Sequence, residues 1–184
     1  MEVTINNSPV HSDSKISYPY GVIDSGYSCG WHTGVDIIPY GNTENNPTLY
    51  PVKEGRVVYI NNTSNVALGV QCQILDNDGI YWRYCHMVLN SLQVQVGDIV
   101  SLNTPIGKMG ETGNVTGRHL HLEASTTQSW QCETFVNPCN ILNIPNVDDL
   151  IIHYEETIPP TPPITKDNKN KWILSMYRKM RIYK

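Results

Sequence analysis

Apolar and polar residues alternate in short bursts along this chain, and glycine, proline and asparagine punctuate the bursts. Such a period-two pattern predicts half-buried β-strands. Residues 50–60 contain Val-Lys-Glu-Gly-Arg-Val-Val-Tyr-Ile and read as a strand. Residues 70–75 and 80–86 flank Asp76-Asn77-Asp78-Gly79, a strong hairpin signal that places His86 at a strand end. Further short strands are predicted over 94–100 and 105–109, and 119–124 alternates after the glycine-bounded loop 110–117. After Pro145 the pattern weakens, although residues 149–154 predict one more strand. No long amphipathic helix stands out before residue 158. The fold class expected is mostly β, with antiparallel sheets forming a single domain.

The same pattern suggests how the chain is divided. Residues 1–17 read as an N-terminal lead-in and 18–157 as the domain. Residues 158–171 form a Pro-rich and polar linker whose Pro-Pro-Thr-Pro-Pro core predicts a stiff spacer. In the tail, 172–184, Trp172, Ile173, Met176, Tyr177, Met180 and Tyr183 recur at spacings of three and four, as on a short basic amphipathic helix.

Composition sharpens the β reading, because tyrosine outnumbers phenylalanine 11 to 1 and charged residues make up only 16%. The net charge of −4 is unevenly spread: residues 166–184 carry +6 and the remainder −10. Nucleic acid is thereby excluded as a partner, since the basic charge is absent from the domain. A basic amphipathic tail suits an anionic membrane or wall polymer instead. The first residues carry neither a basic nor an apolar leader segment, so no signal peptide is read, and no apolar run is long enough to span a bilayer. Nothing in the sequence specifies an oligomeric state. Five cysteines without a C-x-x-C pair indicate neither a disulfide framework nor a cysteine zinc finger. Cys132 and Cys139 flank a predicted loop and are near enough in sequence to pair, but reduced, partly buried thiols are the preferred expectation.

Four of the six histidines and one aspartate form a set: His32 and Asp36 in His-Thr-Gly-Val-Asp, then His86, then His119 and His121 in His-Leu-His. Zinc takes nitrogen and oxygen donors, and a catalytic site uses three protein ligands and leaves one position to water. On a strand, His119 and His121 point the same way, about 6.5 Å apart. His32 and Asp36 would lie about 13 Å apart on a straight strand, too far for one ion, so the segment must bend at Gly34. The two remaining histidines, His11 and His153, read as ordinary surface or core residues.

The blocks that hold these residues resemble the lysostaphin-type zinc metallopeptidases, which hydrolyse peptide cross-links of bacterial cell walls. The resemblance spans roughly residues 18–142. It rests on Gly30-Trp-His-Thr-Gly-Val-Asp36, Pro51-Val-Lys-Glu-Gly-Arg-Val-Val58, Tyr84-Cys-His86-Met, Val96-Gly-Asp-Ile-Val100, Pro105-Ile-Gly-Lys-Met-Gly-Glu-Thr-Gly113 and Thr116-Gly-Arg-His-Leu-His-Leu-Glu123. By this resemblance His32, Asp36 and His121 hold one Zn2+ per chain, and His86 and His119 are the catalytic pair. It also implies a groove over the zinc site and a peptidoglycan peptide as substrate. Cys85 and Arg118 stand where the family commonly has Ala and Pro, and the loop 40–49 is unusually rich in asparagine.

Competing motifs fare worse. Gly26-Tyr-Ser28-Cys-Gly30 matches a serine nucleophile elbow, but nothing helical follows it. His121-Leu-Glu123 with Pro138-Cys139 lacks the second cysteine of a zinc deaminase, since residue 142 is Leu. The expected function is thus a zinc endopeptidase of peptidoglycan acting at the bacterial cell wall. A chain without a leader fits a bacteriophage enzyme, either a virion-associated hydrolase or an endolysin released at lysis, or else a fragment of a larger secreted protein, and the phage origin is the preferred expectation. The alternative is a non-catalytic wall-binding or regulatory relative of the same fold, which would be expected to lack one or more of the five site residues.

Overall fold

The structure, a computed structural model, describes residues 1–41 and 44–156. The linker and tail expected over 158–184 lie outside the described residues. Among the described residues there are twelve strands: β1 (Glu2–Ile5), β2 (Ser14–Tyr18), β3 (Val35–Pro39), β4 (Thr48–Leu49), β5 (Gly55–Asn61), β6 (Val70–Asp76), β7 (Tyr81–Met87), β8 (Ile99–Val100), β9 (Gly107–Lys108), β10 (Leu120–Ser125), β11 (Phe135–Val136) and β12 (Ile151–Tyr154). One five-residue helix, α1, covers Pro138–Leu142.

Ten strands form one sheet in the order β1-β12-β2-β3-β10-β7-β6-β5-β8, with β11 paired to β10, while β4 and β9 make a small second sheet. All pairings are antiparallel except β1 with β12. The mostly β, single-domain expectation therefore holds.

The central hairpin β6–β7 forms where its turn signal placed it. Asp76 Oδ1 accepts from the backbone N–H groups of Asp78 and Ile80, and Oδ2 accepts from Trp82 Nε1 at 2.8 Å, so one carboxylate closes the turn and satisfies a buried indole. Trp82 and Tyr84 are fully buried with Ile37, Ile74, Leu120 and Leu122, and the Tyr84 hydroxyl accepts from Val52 N at 2.9 Å.

Several elements depart from the sequence reading. Residues 1–17, read as a lead-in, contribute β1 and most of β2 to the main sheet. The strand expected over 50–60 is interrupted, with β5 starting only at Gly55. Those expected over 94–100 and 105–109 shrink to the two-residue strands β8 and β9. Gly97 has φ 100° and Gly107 φ 154°. At Gly97 the chain turns, its N–H bonding to Val57 O, instead of continuing a ladder.

The expectation of reduced, buried thiols holds for Cys72, Cys85 and Cys139 and is overturned for Cys29 and Cys132. Cys29 and Cys132 form a disulfide across 103 positions of sequence, with Cα atoms 5.6 Å apart. Cys139 is instead a free, buried thiol on α1, packed into the core. The pair forms because the loop before His32 and the loop after β10 meet at one wall of a cleft.

Candidate active site

Three neighbouring strands carry the site. β10 lies between β3 and β7, with His121 opposite Asp36 on one side and opposite Cys85 on the other. Leu120 and Leu122 point into the core, so strand alternation sends His121 and Glu123 to the other face. His32 precedes β3 and reaches the same place. Gly34 makes this possible by closeness and not by unusual torsion: a Cβ there would lie 2.6 Å from Leu122 O and 2.9 Å from His121 Cε1. The chain also bends at Gly34, as the spacing of His32 and Asp36 requires.

His86 arrives by a different route. Regular alternation along β7 would turn it toward the side of Trp82 and Tyr84. Its backbone is left-handed, φ 59°, an uncommon state for a non-glycine residue. That twist brings its ring to the His121 side, with centroids 5.8 Å apart. Strain of this kind persists where surrounding structure enforces it, and it concentrates at functional positions.

The five residues converge. Asp36 Oδ1 lies 2.8 Å from His121 Nδ1 and 3.2 Å from His32 Nε2, and those two nitrogens are 3.0 Å apart. His119 Nε2 is 3.7 Å from Asp36 Oδ2, and the His86 and His119 ring centroids are 4.8 Å apart. His11 and His153 stay apart from this cluster. His11 stacks between Tyr50 and Tyr154, and His153 lies 3.1 Å from Asp13.

Hydrogen bonds on the far side of each imidazole decide which nitrogen faces inward. His32 Nδ1 donates to Pro19 O at 2.8 Å, His86 Nδ1 to Thr112 O at 2.8 Å, and His119 Nδ1 to Gly117 O at 2.9 Å. Because a carbonyl oxygen only accepts, each of these nitrogens carries the proton, and in the neutral ring the inner nitrogen presents a lone pair. His121 Nε2 similarly faces Glu123 Oε1 at 3.2 Å.

Three acceptors thus meet in a buried place, and that arrangement calls for a proton or a cation between them. His32, Asp36 and His121 each offer one ligand atom, all within 4.8 Å of one another, and their chemistry is that of a three-ligand zinc site. Without a metal, a proton takes that place. Burial alone would lower the His121 imidazole, but Glu123 and Asp36 outweigh it and raise its pKa to about 9. Burial pushes the Asp36 carboxyl up, yet the two imidazoles hold it well below the usual carboxylate range. Burial lowers His86 to about 4, leaving it neutral near pH 7.

The site opens into a cleft of about 1540 Å³ whose walls include Tyr18, Tyr27, Arg118, Trp130 and Phe135. Tyr27 packs 5.1 Å from the His32 ring and is pushed up to about 12 by burial, so it remains a hydroxyl donor. Sequence reasoning assigned no role to Tyr27, Trp130, Arg83 or Thr33, nor to Glu123 beyond its place in a motif. For Glu123 a signal existed, since it sits two residues beyond His121 on the same strand face.

Comparison with known proteins places the fold and the family. Lysostaphin of Staphylococcus simulans is 34% identical over 109 residues, covering 59% of this chain and 21% of lysostaphin. The glycyl-glycine endopeptidase ALE-1 of Staphylococcus capitis is 33% identical over 112 residues, covering 61% of this chain and 29% of ALE-1. The chain therefore spans less than a third of the length of these relatives. The crystallized catalytic domain of the antimicrobial peptidase lysostaphin from S. simulans superposes with a TM-score of 0.59 at 29% identity, covering 70% of this chain and 92% of that domain. The sequence pattern of peptidase family M23 matches residues 30–134, from just before His32 to beyond Glu123, and the chain belongs to that family.

Proposed function

We propose that this protein is a zinc-dependent endopeptidase that hydrolyses peptide cross-links in bacterial peptidoglycan. The observation that carries this reading is the convergence of His32, Asp36 and His121 beside two further imidazoles whose inner nitrogens face an open cleft. The kinship with ALE-1, named a glycyl-glycine endopeptidase, supports an amide bond in a wall peptide as the bond cut.

In this reading His32, Asp36 and His121 hold the ion. When bound, zinc makes a water nucleophilic near neutral pH and polarises the scissile carbonyl. His86 and His119 do the rest from the protein side. His86, neutral and anchored through Nδ1, offers Nε2 to accept a proton and return it to the leaving amine. His119, anchored through Nδ1 to Gly117 O, presents Nε2 toward the same space, and in its imidazolium form that nitrogen donates to the developing oxyanion. Tyr27 and Trp130 flank the cleft and limit how a peptide chain enters.

Elemental analysis and digestion of purified walls test this. The wild type should carry one zinc per chain and release free amino groups without new reducing sugars. Asp36→Ala should lose the metal. His86→Ala should keep zinc yet lose about 10²-fold or more in turnover. Zinc retention by Asp36→Ala, or undiminished turnover in His86→Ala, overturns the assignment.

A further inference from the structure

Behind His121, on the side away from Asp36, lies a buried polar chain that catalysis as described does not use. Glu123 is 1% exposed. Its Oε1 accepts from the Thr33 hydroxyl at 2.6 Å and faces His121 Nε2 at 3.2 Å. Its Oε2 accepts from both Nε and an Nη of Arg83, the residue opposite it on β7. The Arg83 guanidinium is capped in turn by Trp130, 4.0 Å from the ring centroid.

We propose that Glu123 is a positioning residue for the metal site: clamped by Thr33 and Arg83, it holds the His121 ring so that Nδ1 points at Asp36 and His32. This inference rests on the zinc reading above.

Three features favour it over a purely structural ion pair. First, a buried carboxylate–guanidinium pair is a poor way to gain stability, because a well-packed apolar pair of similar volume serves as well or better. Second, Glu123 cannot itself be a fourth ligand. It faces Nε2, whereas Asp36 and His32 face Nδ1, on the other side of the ring. Third, the partners leave it no freedom. Arg83 neutralises its charge and occupies one oxygen, so the other oxygen is set against the imidazole by Thr33 from the His32 loop. One carboxylate thereby links the segments that carry His32 and His121. Partners of this kind, which accept from the outer N–H of a ligating histidine, typically change metal affinity 10- to 100-fold when removed.

The test uses the full chain and zinc alone, with affinity read by competition against a chromophoric chelator at pH 7.5. Glu123→Leu combined with Arg83→Met removes both charges and leaves no buried ion unpaired, so it is the variant expected to stay folded. Glu123→Gln is the second variant, which keeps the shape and one acceptor oxygen. The double variant should bind zinc at least 10-fold more weakly than wild type, and Glu123→Gln should fall between them. In the zinc-bound wild type the His121 Nε2–H should give a downfield imidazole proton resonance protected from exchange. In the double variant that protection should vanish, an effect that a role confined to the Arg83 pair would not produce. Zinc binding within twofold of wild type in both variants, or a protected Nε2–H persisting in the double variant, overturns the inference. If instead the wild type binds zinc no better than Asp36→Ala, the metal reading itself fails and takes this inference with it.

Discussion

His121 and His86 lie within one small site, yet their surroundings push them in opposite directions. Burial lowers His86 from 6.5 to about 4, while Glu123 and Asp36 raise His121 from 6.5 to about 9 against its own burial. As pH falls below 6.5, the unfolded chain takes up a proton at residue 86 that the folded state refuses, so stability drops until about pH 4. The contribution of His121 is complete below 6.5 and is lost as pH rises through about 9. Glu123, held at about 2 by His121 and Arg83 despite its burial, adds a loss only below pH 4.5. Metal-free protein should therefore have its highest Tm near pH 6.5, and saturating zinc should abolish the alkaline decline by replacing the His121 proton. Thermal melts from pH 4 to 10 check this. A Tm for metal-free protein that climbs from pH 6.5 to 9 would contradict the assignment of that proton to His121. The identities of the clustered residues were legible in the sequence because they sit in short, chemically distinctive blocks. The tautomers were not, since Pro19, Thr112 and Gly117 contribute only backbone carbonyls.

The contact of β3 with β10 shows what an element must supply so that such residues can meet. Gly34 packs against the β10 backbone so closely that a methyl group would meet Leu122 O, Glu123 Cγ and His121 Cε1, all within 2.9 Å. Gly34→Ala should push β3 away and cost about 1–3 kcal/mol, the range for overpacking a tight contact, and it should weaken zinc binding as well. Urea denaturation measures the first effect, and stability within about 0.5 kcal/mol of wild type would refute it. Elements with local signals were readable, as with β6 and β7, whose alternation is joined by an aspartate-rich turn. By contrast, β1 is four residues long and pairs with Ile151–Tyr154 from the other end of the described chain, a partnership that no local pattern announces. β8 and β9 fell short of their apolar stretches because backbone turns cut them off.

On the scale of the whole molecule, the disulfide ties together two distant loops, and it was illegible in the sequence for the same reason as the pairing of β1 with β12. Cys29 and Cys132 are separated by 103 positions and carry no spacing that marks them as partners. Their bond converts residues 29–132 into a closed covalent circle that coincides almost completely with the family match at 30–134, while β1, β2 and β12 attach outside it. His32, Asp36, His86, His119 and His121 all lie on this circle. A linear chain cut once becomes two molecules, but a circle cut once is still a single piece. A protease that severs the exposed stretch 62–67 should therefore leave both fragments joined, with the metal donors still on one molecule. Limited proteolysis should give a species of full-length mass on a gel run without reductant and two fragments once reductant is added, whereas Cys29→Ser should fall apart in both. For the function proposed above, that circle would mean that a first cut breaks the continuity of the backbone but not the assembly of the site.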